Sequence, residues 1–136
     1  MLKIIFTTVA VAALGLGIWV RSIAPPARYH DRFAVPEADT QTEGGFIAVR
    51  RTDEKGFARL VETIAATPRS GRLAGQVEDG HVSFVTRTRI MGFPDVTNVL
   101  RTEKGVAIRG HLVVGKGDMG VNRRRIERWL RDAGLS

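Results

Sequence analysis

At 136 residues the chain has room for one domain with a modest core. Lys and Arg number 21 against 14 Asp and Glu, a net charge of +7 that points to anionic partners or surfaces: lipid headgroups, nucleic acid or an acidic protein face. No cysteine is present, which excludes a disulfide framework, thiolate metal sites and lipoprotein anchoring through an N-terminal Cys.

Ile4 to Val20 (IIFTTVAVAALGLGIWV) carries no charge, and with Met1 and Leu2 the apolar run is broken only by Lys3, which can snorkel. At about 1.5 Å per residue such a helix nearly crosses a hydrocarbon core of about 30 Å. Residues 1–22 are therefore expected as a transmembrane anchor that meets the lipid bilayer through residues 2–20. The rival is a cleavable signal peptide with Ser22 and Ala24 as its small residues. Cleavage after Ala24 would put Pro25 at the new N-terminus, and the apolar run exceeds a usual signal core. Arg21, Arg28 and Arg32 follow the span, so counting basic residues favours a cytoplasmic domain; the two-residue leader before Lys3 looks instead like an export signal.

Residues 23–45 read as a juxtamembrane linker, with Pro25, Pro26 and Pro36 and a TEGG close. Trp19 and Tyr29 suit the membrane interface, and the linker arginines either meet lipid phosphates or simply end the span.

Residues 46–136 read as an α+β domain. Phe46 to Val49 is a short strand; Thr52 or Asp53 then caps a helix whose Phe57, Leu60, Val61, Ile64 and Ala65 form one apolar face, ending before Pro68. Arg72 to Glu78 and His81 to Ile90 flank Asp79-Gly80, a preferred two-residue hairpin turn. Asp95 to Arg101 follows the Met91 to Pro94 corner, and Val106 to Val114 follows a turn at Glu103 to Gly105. In the last helix Ile126, Trp129, Leu130 and Ala133 recur at i, i+3, i+4, i+7, with Asp118 as N-cap and Gly134 at a left-handed end. Asn122 points with that apolar stripe and needs a partner, either a nearby turn or a ligand. The expected architecture is a two-layer domain, an antiparallel sheet with two helices packed on one face.

Val82, Phe84 and Ile90, with Val106, Ile108, Leu112 and Val114, are expected to meet the helices. The other face is then bare and basic. If Asp79-Gly80 sets the register, Arg72 lies across from Arg87, with Arg89, Arg109 and His111 on the same side. These residues and Asn122 form the candidate ligand or partner surface.

Gly115, Gly117 and Gly120 spell G-x-G-x-x-G, the spacing of a dinucleotide-binding turn. That fold expects a following strand with an acid about twenty positions on, which this sequence does not offer. Asp118 would also oppose a phosphate at the helix N-terminus. The glycines serve a tight strand-to-helix turn instead. No Cys or Ser sits in a recognisable nucleophile setting, and His30, His81 and His111 lack metal-ligand spacing, so no metal or cofactor is expected. His81, after Asp79-Gly80, reads as a solvated turn residue. Asp95 and Asp118 could meet as an acid pair, the weakest of the readings, because each also has a structural role. Nucleic acid is argued for by charge alone and is not expected as a partner.

GFPDV (Gly92, Phe93, Pro94, Asp95, Val96) and GKGDMGVNRRRIERWL, with Gly115, Asp118, Gly120, Asn122 and Arg125 in a G-x-x-D-x-G-x-N-x-x-R pattern, resemble the bacterial domain-of-unknown-function 1499 family. The short membrane-anchored alphaproteobacterial type is the nearest in form. The resemblance extends through TPRSGRLAG, GHVSFVTRTRIMGFPD and ARYH, and departs at RGHLVVG, where Leu112 and Val113 stand in place of expected polar residues. It implies a small domain without an established activity, on the periplasmic side of a bacterial inner membrane. The leading function is a membrane-anchored accessory domain that binds a partner protein of an envelope or energy-transducing complex. The alternative is an anionic small ligand or lipid headgroup on the basic sheet face.

Overall fold

The computed structural model describes all 136 residues. Helix α1 (Leu2–Ser22) leads into β1 (Thr40–Thr42), β2 (Gly45–Arg51), α2 (Glu54–Ala65), β3 (Ser70–Gln76), β4 (His81–Arg87), β5 (Pro94–Thr102), β6 (Gly105–Leu112) and α3 (Val121–Asp132). The fold is α+β: one N-terminal apolar helix, a six-stranded antiparallel open sheet in the order β1-β2-β6-β5-β4-β3, and two further helices. The short first strand, which the sequence reading had left inside a linker, adds one edge, and β2 sits beside β6 rather than at the end of a simple meander.

The core follows from strand alternation. Val82 pairs with Val99, and Val99 with Ile108, which pairs in turn with Ala48. Residues paired directly across a sheet share a face. Phe46, Phe84 and Val106 lie on this same face, and α2 covers it with Phe57, Leu60, Val61 and Ile64 while α3 adds Ile126, Trp129 and Leu130. The expected apolar face is thus the real one except at the strand ends: β6 stops at Leu112, so Val114 lies beyond it, half-buried and outside the core. Strand β4 stops at Arg87, so Ile90 lies in the following turn and is 83% exposed instead of sharing the Phe84 side.

Two turns differ from expectation. Asp79-Gly80 does not close a two-residue hairpin: Val77–Asp79 is a 3₁₀ turn, Gly80 is left-handed at φ 67, and Gln76 pairs with His81. A bulge between Arg72 and Ala74 then shifts the register again, so Arg72 pairs with Phe84, not Arg87. That moves Arg72 to the helix side of the sheet edge, opposite in register to Arg87, although the two residues still border one cleft at that edge.

The second correction is larger. The face opposite the helices is covered, not bare. Residues 23–38 run across it as a strap before joining β1, and Ile47, His81, Ser83, Val96, Asn98, Leu100 and Ala107 are buried on that side.

Helix ends are closed locally. Asp53 is the N-cap of α2, accepting from the Gly56 N–H at 2.9 Å. At α3 the residue in the N-cap position is Gly120, left-handed at φ 74, yet Asp118 supplies the side-chain cap from two positions earlier. Its carboxylate accepts from the Gly120 N–H at 3.0 Å and the Asn122 N–H at 2.9 Å. Partial burial works against the charge, but these bonds hold the Asp118 carboxyl below its ordinary range. Replacing Asp118 with Ala should therefore cost about 0.5–2 kcal/mol of stability. The check is chemical denaturation of the detergent-solubilised chain, compared with the wild type at neutral pH.

Candidate functional site

Three constellations carry most of the polar chemistry. The first joins the G-F-P-D and G-x-x-D-x-G-x-N-x-x-R segments. Asp95 begins β5 on the helix side of the sheet, where Arg125 on α3 reaches it at 2.9 Å; both side chains are nearly buried. Arg125 Nη1 also donates to Asn122 Oδ1 at 3.2 Å. Asn122 is fully buried and packs against Gly110, where a Cβ would come within 2.8 Å of its Oδ1. Burial pushes the Asp95 carboxyl up from its ordinary range, against the pull of Arg125. The network therefore ties the start of β5 to the first turns of α3. Asp95 holds Arg125 through Oδ2, and Asp118 accepts backbone N–H groups with both oxygens, so each carboxylate has a structural task. Asn122, expected as part of a basic surface, belongs to this internal network.

The second constellation holds the strap. Asn98 on β5 donates from Nδ2 to the Tyr29 carbonyl at 2.8 Å, and its Oδ1 accepts from the Asp31 N–H at 3.2 Å. The same oxygen lies 2.8 Å from His81 Nε2, which places that proton on Nε2. The His81 ring stacks on His30 with centroids 3.8 Å apart, and His30 Nδ1 shares a 2.7 Å hydrogen bond with Ser83 Oγ. Arg109 on β6 pairs with Asp31 at 3.5 Å and lies over the Phe33 ring at 4.7 Å; His111 packs beside Tyr29 and shares a hydrogen bond with the Leu112 carbonyl. Arg109 and His111 do occupy the second face, but as fastenings for the strap. His81 is not a solvated turn residue: it is 5% exposed.

The third lies at the end of α1. Arg87 donates to the Val20 carbonyl at 3.4 Å, to Ile23 at 2.6 Å and to Gly92 at 3.1 Å. Val20 is one of the last helical residues and its carbonyl also accepts from the Ile23 N–H at 3.2 Å, so Arg87 adds a side-chain donor at the helix end and takes up the Ile23 carbonyl beyond it. Arg21 answers from the other side, donating to the Ile90 carbonyl at 2.8 Å. Val20 itself is fully buried while nearly all the rest of α1 is exposed. Arg89 is exposed in the turn after β4, and Arg72 is exposed at the β3 edge. The six surface residues expected from the sequence thus separate: Arg87 at the junction with α1, Arg109 and His111 under the strap, Asn122 inside, and Arg72 and Arg89 in solvent.

Sequence reasoning missed His30, Ser83 and Asn98. The signal was present in β5, where Val96, Asn98 and Leu100 alternate with Val99 and Thr97: both faces of the strand are too apolar for one of them to meet water.

The histidines set a pH dependence. Burial, followed by the nearby His81, keeps His30 below its ordinary 6.5, with Arg32 adding to the effect and Asp79 opposing it. Burial first, and then Arg109, likewise lower His111, against the Leu112 hydrogen bond, Asp95 and Asp31. The unfolded chain takes up these protons from about pH 6.5 downwards before the folded chain does. Their contribution to stability is thus complete above that pH and is lost as pH falls through the folded values. Thermal melts of the solubilised chain at about pH 7.5 and about pH 5.5 should show a lower midpoint at the acid end, and His30→Gln should shrink the difference.

No curated protein matches the chain. A family match does, covering residues 22–132, from the end of α1 to the end of α3, and it includes all three constellations apart from the buried Val20 and Arg21 at the junction. The convergence of Asp95, Asn122 and Arg125 gives the two sequence segments that carry the resemblance a common physical purpose. With that match extending over most of its length, the chain belongs to the family described as Protein of unknown function (DUF1499).

Proposed function

We propose that the chain is a single-pass, membrane-anchored accessory domain on the periplasmic side of a bacterial inner membrane, where it binds a partner protein of an envelope or energy-transducing complex. Helix α1 has 21 residues, a mean hydropathy of 1.9 over its most apolar window and little burial, properties shared by membrane anchors and signal sequences. The observation that carries the anchor reading is its far end. Val20 is buried by the domain, and Arg87 bonds the Val20 and Ile23 carbonyls, so removal of residues 1–24 would strip packing and hydrogen bonds from the folded domain itself.

An anchor fastened in this way holds the domain in one pose. The turn between β4 and β5 sits beside α1, and the turn between β5 and β6 lies at the other end of β5, roughly 27 Å away at about 3.4 Å per residue. There a cleft of about 800 Å³ opens between Val35, Pro36 and Glu37 of the strap and Val49, Arg50, Arg51, Lys104 and Val106. Arg50, Arg51 and Lys104 stand there beside Glu37 and Glu103, with Val35, Val49 and Val106 between them, a lining that suits a partner segment with apolar residues and charges of both signs.

Protein extracted from membranes should have an intact mass that includes residues 1–24, and a reporter active only outside the cytoplasm should give signal when fused after Ser136. A mature form starting at Pro25, or stronger signal from a cytoplasm-only reporter, would reverse the respective assignment.

The partner surface has its own check. The double variant Arg51→Glu with Lys104→Glu should lose, by about tenfold or more, the membrane protein that crosslinks to the wild type beside this cleft, with unchanged thermal stability. Equal crosslinking yield would move the interface elsewhere.

A further inference from the structure

The end of the domain that meets α1 combines two features that a water-facing surface does not explain. One is uncompensated positive charge. Arg50, Arg101, Arg109, Arg123 and Arg125 each have a carboxylate partner; among the other arginines, which have none, Arg21, Arg69, Arg72, Arg87 and Arg89 lie at this end. These five gather around the α1 end. Arg87 and Arg21 bond carbonyls there, Arg69 Nε donates to the Arg87 carbonyl at 3.2 Å, and Arg89 adjoins Ile90, whose carbonyl Arg21 holds. Arg69, Arg72 and Arg87 line an open cleft of about 390 Å³ with Ala24 and Pro25 from the start of the strap, and no carboxylate lines it.

The other feature is an apolar tip. In the turn after β4, Ile90 is 83% exposed and Met91 36%, while Trp19 on the last turns of α1 is 58% exposed. The turn is fixed, not loose. Thr88 Oγ1 accepts from the Phe93 N–H at 2.9 Å, the Thr88 N–H donates to the Phe93 carbonyl at 3.0 Å, and the Gly92 N–H donates to the Thr88 carbonyl at 3.1 Å. Gly92 is left-handed at φ 75, and a Cβ there would come within 2.8 Å of Arg21 Cγ, so a side chain at this position would push the turn away from α1.

Resting on the reading of α1 as a retained anchor, we propose that this end of the domain is a lipid-binding surface: Ile90 and Met91 enter the interfacial layer of the bilayer beside α1, and Arg69, Arg72 and Arg89 bind the phosphodiester groups of anionic phospholipids. The occupant follows from continuity with the span. The Ile90 carbonyl is hydrogen-bonded to the side chain of Arg21, one residue past Val20, so the tip lies at the depth where the apolar helix ends. At that depth an exposed Ile and Met beside an exposed Trp are matched to headgroup and upper acyl regions, and guanidinium forks are matched to phosphate. Arg87 is not assigned to lipid because both of its terminal nitrogens are held by backbone carbonyls. Each basic residue near an anionic surface adds to the attraction, so the three together bias both the pose and the lipids around the anchor.

The absence of cysteine makes the test direct. The full chain, reconstituted into vesicles of phosphatidylcholine with or without phosphatidylglycerol, is spin-labelled through a single cysteine at position 14, 90 or 104, and each label's depth is read from its exposure to oxygen and to a water-soluble nickel complex. The expected result is a label buried in lipid for Leu14→Cys, one at the interface for Ile90→Cys that lies deeper with phosphatidylglycerol, and one in water for Lys104→Cys. Adding Arg72→Gln and Arg89→Gln should return the label at 90 to its depth in phosphatidylcholine alone. A lipid-exposed label at 14 with fully aqueous labels at 90 and 104 would overturn the lipid surface and leave the anchor standing. An aqueous label at 14 would overturn the anchor. A label at 90 that is shielded in native membranes but aqueous in both vesicle types would assign the tip to a protein partner and equally overturn the proposal.

Discussion

One side-chain amide does for this fold what a turn does for a hairpin. Asn98 is fully buried in the middle of β5, and it presents one donor and one acceptor to the backbone of Tyr29 and Asp31, the pattern that a neighbouring strand would offer. A six-stranded sheet with Ile47, Val96, Leu100 and Ala107 on its second face cannot leave that face wet. Two helices are spent on the first face, so only the segment between α1 and β1 remains to cover the second. An irregular strap buries polar backbone, and buried backbone groups left unpaired cost about 1–3 kcal/mol each. Asn98, Ser83, His81 and Arg109 stand on the covered face because they satisfy what the strap brings with it.

The same requirement joins helix α1 to the domain. A strap that must lie flat across a sheet has to enter it at a defined place, and Arg87 sets that place by bonding Val20 and Ile23 from the end of β4. From there Asn98 and Arg109 hold Tyr29 to Phe33, and the Asp39 carboxylate accepts from the Val49 N–H at 3.0 Å and from Arg50 at 2.7 Å, which fixes the entry into β1 and shields the exposed edge of β2. The polypeptide from α1 to β2 is therefore continuous structure. A domain tethered through a loose linker would sample all orientations above a bilayer; one fastened at the last turn of its helix does not.

How much of this was legible in the sequence depends on the period of each signal. Helices α2 and α3 were plain because Phe57, Leu60, Val61 and Ile64, and again Ile126, Trp129 and Leu130, repeat with helical spacing and end in recognisable caps. Strands β4, β5 and β6 were plain from alternation. The register of β3 was not, because Asp79-Gly80 looks like a two-residue turn while Gln76 and Asp79 close a capping box that lengthens it, and a bulge then displaces Leu73. The second face was misread because period-two reasoning assigns polar residues to water, and His81, Ser83 and Asn98 are polar for the opposite reason. Of the site residues, the G-x-x-D-x-G-x-N-x-x-R and G-F-P-D segments were visible as sequence, but only the fold shows that Arg125 joins them through Asp95.

Charge illustrates the same limit. A net +7 on 136 residues says that an anion is wanted somewhere, without separating arginines that build the protein from those that face outward. In the folded chain Arg125 neutralises a buried carboxylate, Arg109 fastens the strap and Arg87 closes a helix, so three of the most promising residues are structural. Guanidinium suits all three tasks because its planar fork can serve two or three acceptors at once, which an ammonium cannot do with the same geometry. Subtracting these residues leaves unpaired arginines on several surfaces, Arg51, Arg124, Arg128 and Arg131 as well as Arg69, Arg72 and Arg89 beside the helix end. Net charge therefore counts the arginines without ranking them, whereas the task of each is set by the acceptors that the fold brings within reach of its guanidinium.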